Sequence, residues 1–483
     1  MSDTLVTIIL CLVALTVSFL VYPWVLRFAV RHNIVDNPDA RKLQRHPVPV
    51  MGGVVVFVGI VLSVAVGLFA LDVHEAVFTL VAMTVMLLVG TFDDIFGLGV
   101  GLRFSVEVAV VAAMIWFTGF SIDDFHGFLG IGRVSPYLWW PLSIVAGVGI
   151  INATNLIDGV DGYSSGYGIM SCSLFAVFFF VTGQIHMAMF ALIITAALIP
   201  FFMHNVFGKT SKMFIGDGGT LMLGTALATF LFCLLGSHGV GDCGNRCVNP
   251  VAFSLAVLAV PVFDTLRVMG NRLRRGRSPF HPDKTHLHHL FIDIGFSHVG
   301  TAVTILILNF AVVAACWLAW RLGASATWQV FIAIVLGILI TFVFYKVARS
   351  EESKDSRFYR FLCRLARISH VERKGLWFTL MLLMDGKWRE GNIISEVKQQ
   401  VRQYDVAALK AELEKSFDPQ ERDRRLIQTY LEGKTNVLLD DIILYSGAEK
   451  LRVYPLVYQM VIDGSVTVLK ENELGQINRV KMK

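Results

Sequence analysis

Residues 139–181 read WWPLSIVAGVGIINATNLIDGVDGYSSGYGIMSCSLFAVFFFV. Two apolar runs, Trp139–Ile151 and Ile169–Val181, enclose a polar segment in which Asn152, Asn155, Asp158 and Asp161 alternate with glycines. Apolar runs of this kind recur along the chain, and they decide the fold class. A membrane-spanning helix needs roughly 20 mostly apolar residues, with about 17 at the lower end. The chain offers about eleven such segments, at 5–26, 51–71, 75–92, 104–119, 137–153, 164–182, 187–204, 219–237, 251–269, 300–320 and 327–347. The 483 residues are 55% hydrophobic and only 16% charged, and the mean hydropathy is +0.63. An ordinary soluble protein carries about 25% charged residues. The expected fold over residues 1–347 is therefore an all-α polytopic membrane domain. The first segment lacks a basic flank and a small-residue cleavage site, so it reads as a helix rather than a signal peptide.

With eleven spans, alternate loops share a side of the membrane. The loops at 27–50, 93–103, 154–163, 205–218 and 270–299 carry thirteen Lys and Arg residues, and the opposite set carries three, Arg133, Arg246 and Arg321. The positive-inside rule puts the first set in the cytoplasm, the amino terminus outside and the carboxy terminus inside. Cys243 and Cys247 then share an outward loop, where a disulfide is one of two open readings. The other cysteines follow no metal-ligand spacing and read as packing residues.

Every loop dense in polar ligands falls on the cytoplasmic side: GTFDDIFGL at 90–98, the 152–166 segment, MFIGDGGTLMLG at 213–224 and GRSPFHPDKTHLHHLF at 276–291. A carboxylate at a helix centre costs about 2.5–3.5 kcal/mol on insertion scales. At a wet helix end the cost shrinks, and a functional site becomes the default reading. Asp93 and Asp94 repel one another, and a divalent cation bound by hard oxygens relieves that; Mg²⁺ is favoured, with Mn²⁺ as the substitute. A solvated helix end explains such a pair equally well. Asp123 and Asp124 form the same pair on the outer side without supporting chemistry and read as surface. Asp217, in a glycine-rich turn before an apolar helix, suits a metal ligand near a phosphate. Asn155, Asp158 and Asp161 suit a nucleotide, with a capping turn as the plain alternative. His286, His288 and His289 lie near Arg272 and lack the HExxH spacing of a zinc site, so they suit a diphosphate. A basic loop on anionic lipid accounts for the arginines but not for three histidines.

The motifs FDDIFGL, NATNLIDGVDGY, FIGDGGTLMLG and RRGRSPFHPDKTHLHHLF resemble, in order, those of the polyprenyl-phosphate N-acetylhexosamine-1-phosphate transferases. The pattern SPF.PD..H.HH is similar to that of the undecaprenyl-phosphate N-acetylglucosaminyl-1-phosphate transferase branch. The resemblance covers about residues 1–347. It implies transfer of N-acetylglucosamine 1-phosphate from UDP-N-acetylglucosamine to undecaprenyl phosphate, releasing UMP, as the first step of a cell-envelope polysaccharide such as lipopolysaccharide O-antigen. It implies a bacterial inner-membrane enzyme whose site faces the cytoplasm, and it admits a homodimer. Carried over by position, Asp93 and Asp217 hold Mg²⁺, and Asp94 orients the lipid phosphate. Asn155, Asp158 and Asp161 bind the nucleotide or support the metal, and Arg272, His286, His288 and His289 grip the diphosphate and sugar. Lys42 and the turn at Gly52–Gly53 are placed to touch the lipid phosphate. Tyr163 departs from the leucine that many members have after DGxDG.

Residues 348–483 are read as a separate small cytoplasmic α/β domain of unassigned role, compatible with a winged helix. ARSEESKDSRFYR reads as a charged linker, GLWFTLMLL as the core of a soluble fold, DVAALKAELEKSF as an amphipathic helix and VIDGSVTVLKENELGQ as a hairpin. The tail holds no catalytic motif, so truncation after Lys346 is expected to keep catalysis. Another UDP-N-acetyl sugar is the competing donor, and a transporter of an anionic substrate is the reading from another class. The transporter predicts ionisable residues near helix centres and a path to the outside. A membrane metalloprotease lacks its motif, and no nucleic-acid partner is expected.

Overall fold

The computed structural model describes residues 2–36, 47–68, 73–237, 247–279, 284–350, 356–370 and 376–386, and scattered residues between 427 and 482. Each of the eleven expected segments is helical. They form α1 (Asp3–Arg31), α2 (Gly52–Val66), α3 (Val73–Phe96), α4 (Val100–Thr118), α5 (Pro136–Leu156), α6 (Tyr163–Val181), α7 (Ile185–Phe207), α8 (Gly216–Leu235), the pair α9 (Pro250–Val257) and α10 (Ala259–Arg274), α12 (His298–Arg321) and α13 (Ala326–Arg349). Between them lie the short strands β1 (Val35–Asp36) and β2 (Val48–Pro49), the hairpin β3 (Asp124–Phe128) and β4 (Ile131–Arg133), and the short helix α11 (Leu287–Ile294). Among the described residues nine helices are long and apolar enough to cross a membrane, ten if the bent pair counts as one span. The chain is a multi-pass membrane protein.

Two expected spans depart from the sequence reading. Residues 52–66 form a helix of 15 residues, about 22 Å at 1.5 Å per residue, short of a hydrocarbon core of about 30 Å. The segment 251–269 is broken at Leu258, with a bend of 67°. Pro261 explains the break, because its ring displaces the carbonyl four residues earlier, that of Val257, where α9 ends. The freed groups are satisfied by one side chain. Asn309, buried in α12, accepts from the Val260 amide at 3.0 Å and donates to the Val257 carbonyl at 2.9 Å. Tyr167 donates to the same carbonyl at 3.2 Å. The bend lets α10 leave the apolar core as a polar helix that carries Asp264, Arg267 and Arg272 inward.

α8 is the central helix, buried along its whole apolar length. Small residues allow its close packing: a Cβ on Gly90 of α3 would overlap the Asp217–Gly218 backbone, and one on Gly53 of α2 would overlap Gly219. The outer face is apolar, with Trp24, Trp116, Val145 and Phe180 exposed. A lipid environment accounts for such a surface.

The chain divides into two compact units, Met1–Val397 and Lys398–Lys483, whereas the sequence suggested a boundary at 347/348. Within the first unit the expected charged linker is partly helical, as α14 (Arg357–Ile368), and GLWFTLMLL lies in α15 (Leu376–Gly386). α15 packs on the end of α7, where the Trp377 and Phe207 ring centroids are 4.5 Å apart. In the second unit the expected hairpin is present. β6 (Val466–Glu471) pairs antiparallel with β7 (Ile477–Met482), and β7 also pairs with β5 (Val437–Leu438). The expected amphipathic helix at 405–417 lies outside the described residues, as does Cys243.

Candidate active site

Polar residues of three motifs converge where α3, α4, α5 and the start of α8 meet. Asp93, near the end of α3, accepts from the Leu98 amide at 2.7 Å, which turns the chain into α4. From the first turn of α4, Arg103 Nη1 reaches Asp93 Oδ2 at 3.0 Å and Asp217 Oδ2 at 3.2 Å. Its Nε pairs with Glu107 one turn on, at 3.2 Å. Its Nη2 donates to Asn155 at 3.1 Å and to Asn152 at 3.4 Å. Asn152 also donates to Glu107, and Asn155 donates to Asp217 Oδ1 and to Thr220 Oγ1, both at 2.9 Å. One guanidinium thus ties together three carboxylates and two amides.

Asp94 is exposed and sits beside the start of α8, its Oδ2 3.5 Å from the Gly218 amide. Gly216 has φ +75° there, a conformation an L side chain rarely adopts, and a Cβ on it would crowd the Asp94 carboxylate. The turn before it is sewn to α2, with Gly52 and Gly53 donating to the carbonyls of Phe214 and Ile215 at 2.9 and 2.8 Å. These two amides are therefore committed to holding the Asp217 loop. Lys42 lies outside the described residues.

The DGVDG turn joins this cluster to the histidines. Asp158 accepts from Ser164 at 2.7 Å. Protein packed around its carboxyl removes hydration, and with Asp217 and Asp161 nearby this pushes its pKa up to about 7. Asp161 pairs with Lys212 at 2.5 Å and stands 3.3 Å from His298 Nδ1. Its burial alone would raise the pKa, but His298 and Lys212 outweigh that and hold it below the usual carboxylate range. Gly159 lies directly under His288, and a Cβ there would overlap the imidazole. Tyr163, buried in α6, has its ring 6.4 Å from the same imidazole.

The three histidines have different surroundings. His286 Nδ1 is 2.9 Å from Asp264, whose carboxylate also accepts from the Leu287 amide at 3.1 Å and from Arg267 at 2.7 Å. The opposite nitrogen, Nε2, is buried and has no hydrogen-bond partner among the described residues. The rings of His286 and His288 are nearly parallel, with centroids 5.9 Å apart. Burial, then the neighbouring His289 and His286, drives the pKa of His288 well below that of a free histidine. His288 is therefore a neutral ring at physiological pH. Arg272 donates to the Pro279 carbonyl and so shapes the loop that leads to them.

The structure thus gathers Asp93, Asp217 and Asn155 around Arg103, with Asp94 beside them, and it lines Asp158, Asp161, His286 and His288 along one wall. Sequence reasoning missed Arg103, Glu107, Lys212, Asp264, Arg267 and His298. A signal existed for two of them, since Glu107 and Asp264 are acids within the mostly apolar segments 104–119 and 251–269. Asp123 and Asp124 make other contacts: Asp123 accepts from Ser237, just past the end of α8, and Asp124 from the His126 amide. Among the described residues no three or more His, Cys, Asp or Glu side chains are gathered into a metal cage. Mg²⁺ ordinarily takes one or two carboxylates and completes its shell with substrate phosphate and water. Two hard carboxylate oxygens that converge on one positive charge, as those of Asp93 and Asp217 do, fit that ion.

Residues 76–235, which span this acidic cluster and the DGVDG turn, match the model of glycosyl transferase family 4. Over this segment the chain is similar to glycosyl transferase family 4. The chain is similar to a probable undecaprenyl-phosphate N-acetylglucosaminyl 1-phosphate transferase of Bacillus subtilis, 28% identical over 357 residues, or 74% of this chain and 96% of the relative. The undecaprenyl-phosphate alpha-N-acetylglucosaminyl 1-phosphate transferase of Escherichia coli O157:H7 is 27% identical over 348 residues, 71% of this chain and 90% of the relative. That of Yersinia pestis is 28% identical over 348 residues, 71% and 92% of the two chains. The family 4 match accounts for the acidic cluster, and the histidine loop lies beyond it in sequence.

Proposed function

We propose that the protein transfers N-acetylglucosamine 1-phosphate from UDP-N-acetylglucosamine to undecaprenyl phosphate, at the cytoplasmic side of a bacterial inner membrane. The observation that carries this reading is the pairing of an acidic cluster on one guanidinium with a neighbouring wall that ends in a buried imidazole nitrogen without a partner among the described residues. Such a site offers contacts for a diphosphate and its counter-charge at the end of a membrane helix bundle. The names of the relatives supply the lipid and the sugar.

In the reaction a phosphate oxygen of the lipid attacks the β-phosphorus of the donor. A new P–O bond forms, the bond from the β-phosphorus to the bridging oxygen breaks, and UMP leaves with the electron pair. A phosphate monoester has its second pKa near 6 and is largely dianionic at neutral pH, so the acceptor needs no strong base. Asp94, exposed beside the Asp217 loop, orients it. Lys42 is the expected additional contact for that phosphate. His286, held by Asp264, is the expected contact of this wall with the diphosphate. Asn155, Asp158 and Asp161 line the nucleotide side, and His288 with Gly159 gives that wall its shape. Mg²⁺, held by Asp93 and Asp217 when bound, would offset the charge that develops on the phosphates.

The test uses full-length protein in detergent with undecaprenyl phosphate and Mg²⁺. UMP release is compared for UDP-N-acetylglucosamine, UDP-N-acetylgalactosamine and UDP-N-acetylmuramoyl-pentapeptide, with and without EDTA. Lipid-dependent release from the first donor, abolished by EDTA, is the expected result. Release from another donor alone would reassign the sugar, and release without the lipid would remove the acceptor from the proposal.

A further inference from the structure

The loop between α7 and α8 carries Lys212 and leads within five residues to Asp217. On one side it is bound to α2 through Gly52 and Gly53. On the other it is gripped by a part of the chain that the sequence reading assigned to a separate domain. Asp385, near the end of α15, accepts hydrogen bonds from the backbone amides of Lys209, Thr210 and Ser211 at 3.1–3.3 Å. Ser211 Oγ donates to the same carboxylate at 3.1 Å. Three successive amides converging on one anion form a backbone nest, a concave site for negative charge.

The nest is stiff from below as well. Tyr22 of α1 donates to the Ser211 carbonyl at 2.7 Å, His204 Nδ1 is 3.0 Å from Ser211 Oγ, and the Tyr22 and His204 rings stack at 4.0 Å. The next residue, Lys212, makes the ion pair with Asp161. The segment before α15 is anchored too. Leu362 and Ala366 of α14 are buried, Ser297 donates to Ser369 through its amide and its hydroxyl at 3.0 and 2.7 Å, and His370 Nε2 is 3.1 Å from the Gly295 carbonyl. Ser297 and Gly295 border α11, which carries His288 and His289. Residues 357–370 therefore touch the turn beside the histidines, and residues 376–386 the loop that holds Lys212.

We propose that Asp385 is a positioning residue: by filling the nest at 209–211 it holds Lys212 on Asp161 and so fixes the shape of the nucleotide-sugar pocket. Its effect on donor binding rests on the function proposed above, whereas its hold on the loop does not. Truncation after Lys346 removes this contact, so the shortened chain is expected to behave like an Asp385 variant rather than like the intact protein.

The experiment compares wild type, Asp385→Ala and Asp385→Glu in the full chain, in detergent. Hydrogen exchange at the amides of residues 209–211 reads the contact itself. Donor KM and kcat from UMP release read its consequence. Asp385→Ala should speed exchange at the three amides about tenfold or more and raise the KM for UDP-N-acetylglucosamine about tenfold, with kcat falling far less. Added acetate should restore part of the KM in Asp385→Ala, because a free carboxylate can enter the nest, and Asp385→Glu should lie between the two. Unchanged exchange overturns the proposal, and so does faster exchange with an unchanged donor KM. A wild type that releases no UMP from any donor would sink the function reading, while the exchange result would still decide whether Asp385 holds the loop.

Discussion

Arg103 and Asp217 are 114 residues apart in sequence and 3.2 Å apart in space, with Arg103 Nη1 also 3.0 Å from Asp93. The guanidinium is therefore the counter-charge of the acidic cluster, including Glu107, which is 1% exposed. Removing Arg103 leaves that buried carboxylate unpaired, a loss of roughly 3–5 kcal/mol. Arg103→Leu should lower the melting temperature sharply, and Arg103→Leu with Glu107→Leu should recover much of the loss. Thermal unfolding of the two variants in detergent checks this; equal melting temperatures would mean that the pair is not coupled.

Gly159 lies under His288 with no room for a Cβ. Gly159→Ala should displace the imidazole at a cost of about 1–3 kcal/mol. The larger effect should be on turnover, with kcat/KM down at least tenfold while the protein still inserts and folds. UMP release by the purified variant measures it, and near-normal turnover would show that the ring can shift without consequence.

His288 is neutral in the fold because burial depresses its pKa below the free value of about 6.5. The unfolded chain binds the proton first, so the stability contributed by the neutral ring is present above pH 6.5 and falls as pH drops below it. Wild type should therefore lose stability relative to His288→Gln between about pH 6.5 and 5. Melting temperatures of the two across that range provide the comparison. Parallel curves would mean that the ring is reached by solvent and protonates freely.

Asn309 satisfies both backbone groups released at the α9–α10 break. Asn309→Leu leaves the Val260 amide without that acceptor in an apolar core, which costs about 1–3 kcal/mol. Asn309→Asp can still accept from Val260, but it cannot donate to Val257 unless protonated. Melting temperatures should rank wild type above both variants, with the Asp form improving as pH falls.

The helices themselves were legible because their requirement is local. A run of apolar residues long enough to cross a membrane has to satisfy its own backbone, and a helix does so within the run. The break at Leu258 could also have been read, since Pro261 marks it. The hairpin at the end of the chain followed from alternation and a turn-rich connection. The motif aspartates stood out because a carboxylate near an apolar run is costly without a reason.

What the sequence did not contain was partnership. Arg103 reads as one of several basic residues in a loop count, and Lys212 as another. Only packing of α4 against α5 and α8 puts Arg103 between two carboxylates, and only the fold of the α7–α8 loop puts Lys212 on Asp161. The two amides at Gly52 and Gly53 could not be known to be spent on Phe214 and Ile215. Asp385 shows the difference most plainly. In sequence it is an acid at the end of a short apolar run, beyond the apparent end of the membrane domain. In the structure its carboxylate completes a turn 174–176 residues away. Composition and periodicity determined which segments would be helical and which loops would carry charge, because those depend on neighbours along the chain. Which charge meets which was decided by tertiary packing, since hydrogen bonds and ion pairs act over a few ångströms regardless of sequence distance.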